Sequence, residues 1–219
     1  PLYLYRLLAR APQDVLPRAL AFCAPDAARP SPGTPPAAAL AALGDWAAHT
    51  GRDALAAQCD QLARAGCQPT SRVLRGPTGE QNVYHLHPRE AALCLAGTEA
   101  DRLTQLAAVL AVGSRAVWPA DAGTQALLAA LPATVQARVA LAQDWQAPAV
   151  GIDVALCHGS ADEIAAVQQA LAARAGAIVP LHALPPGAAD VPLQALVLER
   201  AVSTNTAAAG GNASLMMIG

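Results

Sequence analysis

The chain has 219 residues, a formal net charge of -2 and 54% hydrophobic but only 3% aromatic residues, so its core must be built from small side chains packed closely. All 14 basic residues are arginine, which excludes Schiff-base lysine chemistry and a P-loop, and no basic cluster offers the electrostatic footprint of nucleic-acid binding. Arg, Asp, Gln or Pro interrupts every apolar run before it reaches membrane-spanning length, and no signal peptide opens the sequence.

Five cysteines (Cys23, Cys59, Cys67, Cys94 and Cys157), odd in number and without a C-x-x-C pair, are expected as reduced, mostly buried thiols in a cytoplasmic setting. A first residue that is proline rather than methionine suggests processing or excision from a longer chain.

Residues 1–68 are expected to be helical around a Pro-rich linker. Leu4, Leu7 and Leu8 have helical spacing, whereas "APDAARPSPGTPP" cannot hold a helix, because proline removes donors and clashes with the preceding turn. "DALAAQCDQLARAG" places Leu55, Cys59 and Leu62 on one helical face, with Gly66 as its stop. Residues 69–90 form a projecting β-hairpin: "SRVLRGPTGEQNVYHLHP" reads as two strands around "GPTG", with Gly76 and Gly79 giving permissive dihedrals and Pro77 presetting one angle.

From Ala91 to residue 198, strands and helices alternate. "AALCLA" is a buried strand. Thr98 caps the next helix, with Asp101 three residues on and Leu103, Leu106, Ala107, Leu110 and Ala111 as its apolar stripe; Gly113 ends it. "RAVW" is a strand, "TQALLAAL" a helix stopped by Pro132, and "GIDVALC" a strand. Ser160 and Glu163 make a capping box for a helix with Ile164, Val167 and Leu171 inward, Arg174 at its negative end and Gly176 closing it, before the strand "AIVPL". This order predicts an α/β fold: a Rossmann-like doubly wound parallel sheet with the projecting hairpin and an extended C-terminal tail, its core between Ala91 and Leu181.

The chemistry-bearing residues point away from catalysis. No G-x-G-x-x-G is present, and at "CHGSADE" the carboxylates Asp162 and Glu163 complement the helix start and oppose a phosphate. His85 and His87 share one face of a strand, but two ligands do not make a metal site. Cys59, Cys94 and Cys157 fall on apolar faces, and Cys157 points away from its neighbour His158. Asn212-Ala213-Ser214 matches a glycosylation sequon without the secretion that would use it. Catalytic, cofactor-binding and metal residues are therefore expected to be absent.

"ADRLTQLAAVLAVGSRAVWPAD" and "DVALCHGSADEIAAV" resemble two segments of the cofactor domain of aldehyde dehydrogenases, in the same order and separation. The family's cofactor-binding lysine falls at Trp118, no "ELGGK" segment with its catalytic glutamate follows "AIVPLH", and the chain ends within about 40 residues, without the catalytic-cysteine domain. A narrower resemblance covers the whole chain: "PLYLYRLL", "GPTGEQNVYHLHPREAALCLA" and "STNTAAAGGNASLM" resemble stretches of the long-form proline utilisation A family.

That resemblance implies a bifunctional oxidoreductase parent, an FAD-dependent proline dehydrogenase joined to an NAD-dependent L-glutamate-γ-semialdehyde dehydrogenase. It also implies a C-terminal domain, itself without cofactor or catalysis, that packs on the aldehyde dehydrogenase domain and helps seal the tunnel between active sites. Residues 199–219 would then be a docking tail. Small residues permit close approach, and amides can satisfy a partner's backbone, through Asn205, Thr206, Gly210, Gly211, Asn212 and Ser214. A small NAD-binding domain and a module that self-associates through its hairpin are the alternatives.

Overall fold

In the computed structural model, residues 36–65, 70–74 and 79–205 are described; the expectations placed on Leu4, Leu7, Leu8, Gly66, Gly76 and Pro77 lie outside them. The described chain runs α1 (Pro36–His49), α2 (Asp53–Ala65), β1 (Thr70–Leu74), β2 (Glu80–Pro88), β3 (Ala91–Ala96), α3 (Glu99–Val112), β4 (Arg115–Pro119), α4 (Ala122–Ala130), α5 (Ala133–Gln136), β5 (Val139–Ala142), β6 (Val154–His158), α6 (Ala161–Ala173), β7 (Leu181–Leu184), a 3-10 turn (Leu193–Leu196) and β8 (Val197–Asn205).

Five strands form a parallel sheet in the order β5-β4-β3-β6-β7. From β3 the chain winds outward through β4 to β5. It then returns to β6 on the other side of β3 and continues to β7. This is the expected doubly wound sheet, with its topological switch between β3 and β6. β3 shows why both faces are covered. Ala92 and Cys94 enter one core cluster and Ala91 and Leu93 the other, since alternate strand residues face opposite ways.

The two faces differ in depth. On one, Leu171 of α6 packs with Leu93, Val117 and Ala155. On the other, α3 lies between the sheet and the pair α1–α2, so it is buried over almost its whole surface: Leu103, Leu106, Val109, Leu110 and Val112 are at most 3% exposed. Each such side chain contributes about 1.5–3 kcal/mol by leaving water. The expected core between Ala91 and Leu181 is therefore too narrow. Leu40, Leu43, Leu55 and Cys59 of the helices, and Val191 and Leu196 after β7, join the same cluster as Trp118 and Leu156. α1 and α2 meet closely at Gly44, where a Cβ would lie 3.2 Å from Cβ of Cys59.

The capping expectations at Thr98, Ser160 and Gly113 hold, whereas α6 ends at Ala173 with Arg174 as its cap, before the expected stop at Gly176. Thr98 accepts from Asp101 N at 3.1 Å, Ser160 and Glu163 form the capping box, and Gly113 ends α3 in the left-handed region at φ 87°. Two local expectations change. The strand expected at "AIVPL" starts only at Leu181, because Ile178 is 66% exposed and Pro180 has no N–H to give a ladder. Arg174, expected at the negative end of its helix, donates instead to the carbonyls of Trp145, Ala147 and Val150, clamping the loop that follows β5.

β1 and β2 form the expected hairpin, antiparallel from Thr70 opposite Leu86 to Leu74 opposite Asn82. It gains a third strand: β8 pairs with β2 along nine positions, from Pro88 opposite Val197 to Glu80 opposite Asn205. Residues 199–205 of the expected tail thus belong to a flap sheet ordered β1-β2-β8. Within the described residues, no helix is long and apolar enough to cross a membrane.

Candidate docking strand and the closed end of the parallel sheet

In an open α/β sheet, ligands bind outside the carboxyl ends of the strands at the switch point. Here that place lies beyond Ala96 of β3 and His158 of β6, and the loop after β7 crosses it. Gly187 N donates to Oδ1 of Asp101 at 2.9 Å, Nε2 of His158 lies 2.9 Å from the carbonyl oxygen of Ala188, and Nε2 of Gln58 donates to that of Ala189 at 3.0 Å. Asp101, Gln105 and His158 are all buried. Their bonds hold the loop between α2, α3 and β6.

The start of α6, the other place where an anion could bind, is also occupied from within. Glu163 accepts from Ser160 N at 2.7 Å and from its hydroxyl at 2.8 Å. Those bonds hold the Glu163 carboxyl below its ordinary range. Trp118 is fully buried and faces the α3 side, with the Arg102 guanidinium 5.8 Å from its ring centre.

None of the three described cysteines has an activating base among the described residues. Burial pushes the thiols of Cys59 and Cys94 up to about 12, and burial together with the Glu163 carboxylate raises that of Cys157. His158 is next to Cys157 in the chain but bonds Gln105 and Ala188. The His85 and His87 rings stack 5.5 Å apart on one face of β2, as their spacing implies. Among the described residues, no group of three His, Cys, Asp or Glu side chains could hold a metal ion.

Of the six residues proposed for docking, Asn205 is the last of β8, exposed and opposite Glu80. Thr206, Gly210, Gly211, Asn212 and Ser214 lie outside the described residues. β8 carries the chain roughly 27 Å from the parallel sheet, at about 3.4 Å per residue. Ser203, Thr204 and Asn205 at its end are all exposed, and the Ser203 hydroxyl donates to Glu80.

The network of Asp101, Gln105 and His158 escaped sequence reasoning. Its one sequence signal is Gln105, a polar residue inside the apolar run "LTQLAAVL", here with no exposure at all.

No protein-family model matches the chain. Bifunctional protein PutA of Escherichia coli (strain K12) is 47% identical over 223 residues, and that of Salmonella typhimurium 48% identical over 222. Each alignment covers 100% of this chain but 16% of the relative, so the chain spans about one sixth of the length of these proteins. Among solved structures, a Bradyrhizobium japonicum proline utilization A (PutA) mutant has a TM-score of 0.52 at 21% identity, covering 69% of this chain and 20% of that one. Staphylococcus aureus AldH, in a substrate-bound state, has a TM-score of 0.51 at 13% identity, covering 68% and 41%. Along its whole length the chain matches one segment of bifunctional protein PutA, and it carries an aldehyde-dehydrogenase-like Rossmann-type fold.

Proposed function

We propose that the chain is a non-catalytic domain of a bifunctional proline-catabolic enzyme, which oxidises proline to glutamate with FAD and NAD held elsewhere in the parent. The domain packs on the parent's aldehyde dehydrogenase domain and helps seal the tunnel between the two active sites. Similarity to PutA over the entire chain supports the parentage.

The single observation that carries the non-catalytic part is the loop across the switch point. Asp101 and His158 are spent on Gly187 and Ala188, where a dinucleotide-binding sheet would offer its polar groups to a ligand. Trp118, buried where the resembled family has lysine, and thiols raised by burial point the same way. For docking, β8 leads away from the core into a sequence without charge from Ala201 onward, so that Asn205, Thr206, Gly210, Gly211, Asn212 and Ser214 can meet a partner's backbone.

Calorimetric titration with NAD, and an assay with L-glutamate-γ-semialdehyde and NAD, test the non-catalytic part on this chain. No binding heat and no reduced cofactor are expected. Low-micromolar binding or cysteine-dependent turnover would sink the reading.

A further inference from the structure

Among the described elements no helix packs extensively on the flap sheet, which joins the body at one end. β2 runs into β3 through Arg89 and Glu90, and β8 leaves the 3-10 turn Leu193–Leu196. We propose that Arg89 is the pin that sets the angle of the flap against the parallel sheet, and is thereby a positioning residue for what the flap and its tail meet.

The geometry is that of a three-way tie. The Arg89 backbone N donates to the Leu196 carbonyl at 2.9 Å, and its Nε donates to the Ala195 carbonyl at 2.9 Å. Its Nη1 donates to the Asp153 carbonyl at 3.2 Å. Asp153 is itself fixed to the start of β3: its carboxylate accepts from Ala91 N at 3.1 Å, and its own N donates to the Ala91 carbonyl at 2.9 Å. One side chain at the root of β2 therefore grips the turn that launches β8 and the residue that leads into β6.

The planar fork of a guanidinium can hold carbonyls from two elements at once on separate nitrogens, whereas an ammonium carries its three donors on one nitrogen at the end of a flexible stem. The length of the lever makes the grip matter. With a flap roughly 27 Å long, a rotation of about 10° at the root displaces the tip by about 5 Å, more than a hydrogen-bonded docking contact tolerates.

The test uses the 219-residue chain with Cys23→Ser and Cys67→Ser, leaving the three buried thiols in place. Spin labels go on Gln81→Cys in the flap and Gln169→Cys on α6, both exposed positions. Pulsed electron–electron resonance then reads the flap-to-body distance. Arg89→Met should widen and displace the distribution while circular dichroism of the body is retained. Arg89→Lys, the milder change, should widen it less, and it carries the test if Arg89→Met does not fold. A distribution that superimposes on the wild type in the folded variant overturns the pin.

As positioning for docking, the inference rests on the proposed function, and a second readout separates the two. In a full-length protein carrying this segment, Arg89→Met should lower semialdehyde oxidation, and Arg89→Lys should restore part of it. A widened distance distribution with full-length activity unchanged upholds the pin and overturns the docking reading.

Discussion

Nε2 of Gln105 lies 2.9 Å from Nδ1 of His158, and both side chains are buried. An amide NH2 can only donate, so Nδ1 accepts and the imidazole proton sits on Nε2, which donates it to the Ala188 carbonyl. The same amide donates to the Leu95 carbonyl at 2.9 Å, while its oxygen has no partner among the described residues. The ring is thus a bridge from α3 to the loop that closes the carboxyl end of the sheet.

His158→Phe keeps the ring volume and deletes both bonds. It leaves the Ala188 carbonyl and one Gln105 proton without partners, at about 1–3 kcal/mol for each group that stays buried. Urea denaturation should show that loss, and hydrogen exchange should speed up at Gly187. Gln105→Leu should cost less, because it also removes the orphaned amide oxygen. If His158→Phe is as stable as the wild type, the loop is held by something else.

The described cysteines should resist thiol reagents in the native protein. Cys59 and Cys94, with thiols pushed up to about 12, carry almost no thiolate near neutral pH. Mass spectrometry after iodoacetamide treatment should find Cys59, Cys94 and Cys157 unmodified until denaturant is added. Rapid native alkylation of any one of them would reopen the question of a nucleophile.

Stability should fall with acidification in two stages. Burial, then the nearby Arg89 charge, lowers His182 from its ordinary 6.5, so the unfolded chain takes up that proton first. The contribution of His182 is complete above 6.5 and declines as the pH falls through its lowered folded value. Asp121 and Glu163 are held below their ordinary 3.8 and 4.5 by the backbone N–H groups of Thr124 and Ser160, so their contribution is present above those values and lost below them. Melting temperatures across the acid range should show both stages, and His182→Gln should remove the upper one. Retention of the upper stage in that variant would assign it to another group.

The strand–helix alternation was legible because its signals are local. "AALCLA" is an unbroken apolar run of strand length, and caps at Thr98, Gly113 and Ser160 need only neighbours within a turn. What escaped is set by distant pairing. "VLERAVSTN" becomes a strand because β2 lies beside it across more than 100 residues of chain, and nothing in its own composition forces the choice. β5, four residues at the sheet's edge, is too short to show a period. Helix α2 showed its apolar face in Leu55, Cys59 and Leu62, but α1 went unread, and that the two helices cover α3 is a tertiary fact. Of the docking residues, only Asn205 has a described position, so the site was legible as composition more than as geometry.

Trp118 should prove structural. It is fully buried in the same cluster as Leu43, Leu106 and Leu156. Trp118→Ala should cost about 3–5 kcal/mol through lost contacts and the cavity left behind. Trp118→Lys, which puts back the residue of the resembled family, should cost more, since its charge would be buried close to Arg102. Thermal denaturation measures both. A stable Trp118→Lys variant that binds NAD would show that the pocket survives behind the tryptophan.

Two truncations separate the strand from the tail. Removing residues 199–219 takes away seven of the nine residues of β8 and exposes the ladder edge of β2, so the flap should become protease-sensitive while the parallel sheet persists. Removing only 206–219 leaves β8 whole. The melting temperature of this chain should then barely change. In the full-length enzyme, the shorter cut should nonetheless lower semialdehyde oxidation. It deletes Thr206, Asn212 and Ser214, and each buried backbone group that they satisfy in the partner would be left open at about 1–3 kcal/mol. It also uncovers whatever apolar surface Leu215, Met216 and Ile218 meet. Coupled conversion of proline to glutamate at the full rate after the shorter cut would rule out the docking tail. A large fall in this chain's own melting temperature would instead make the tail part of its core.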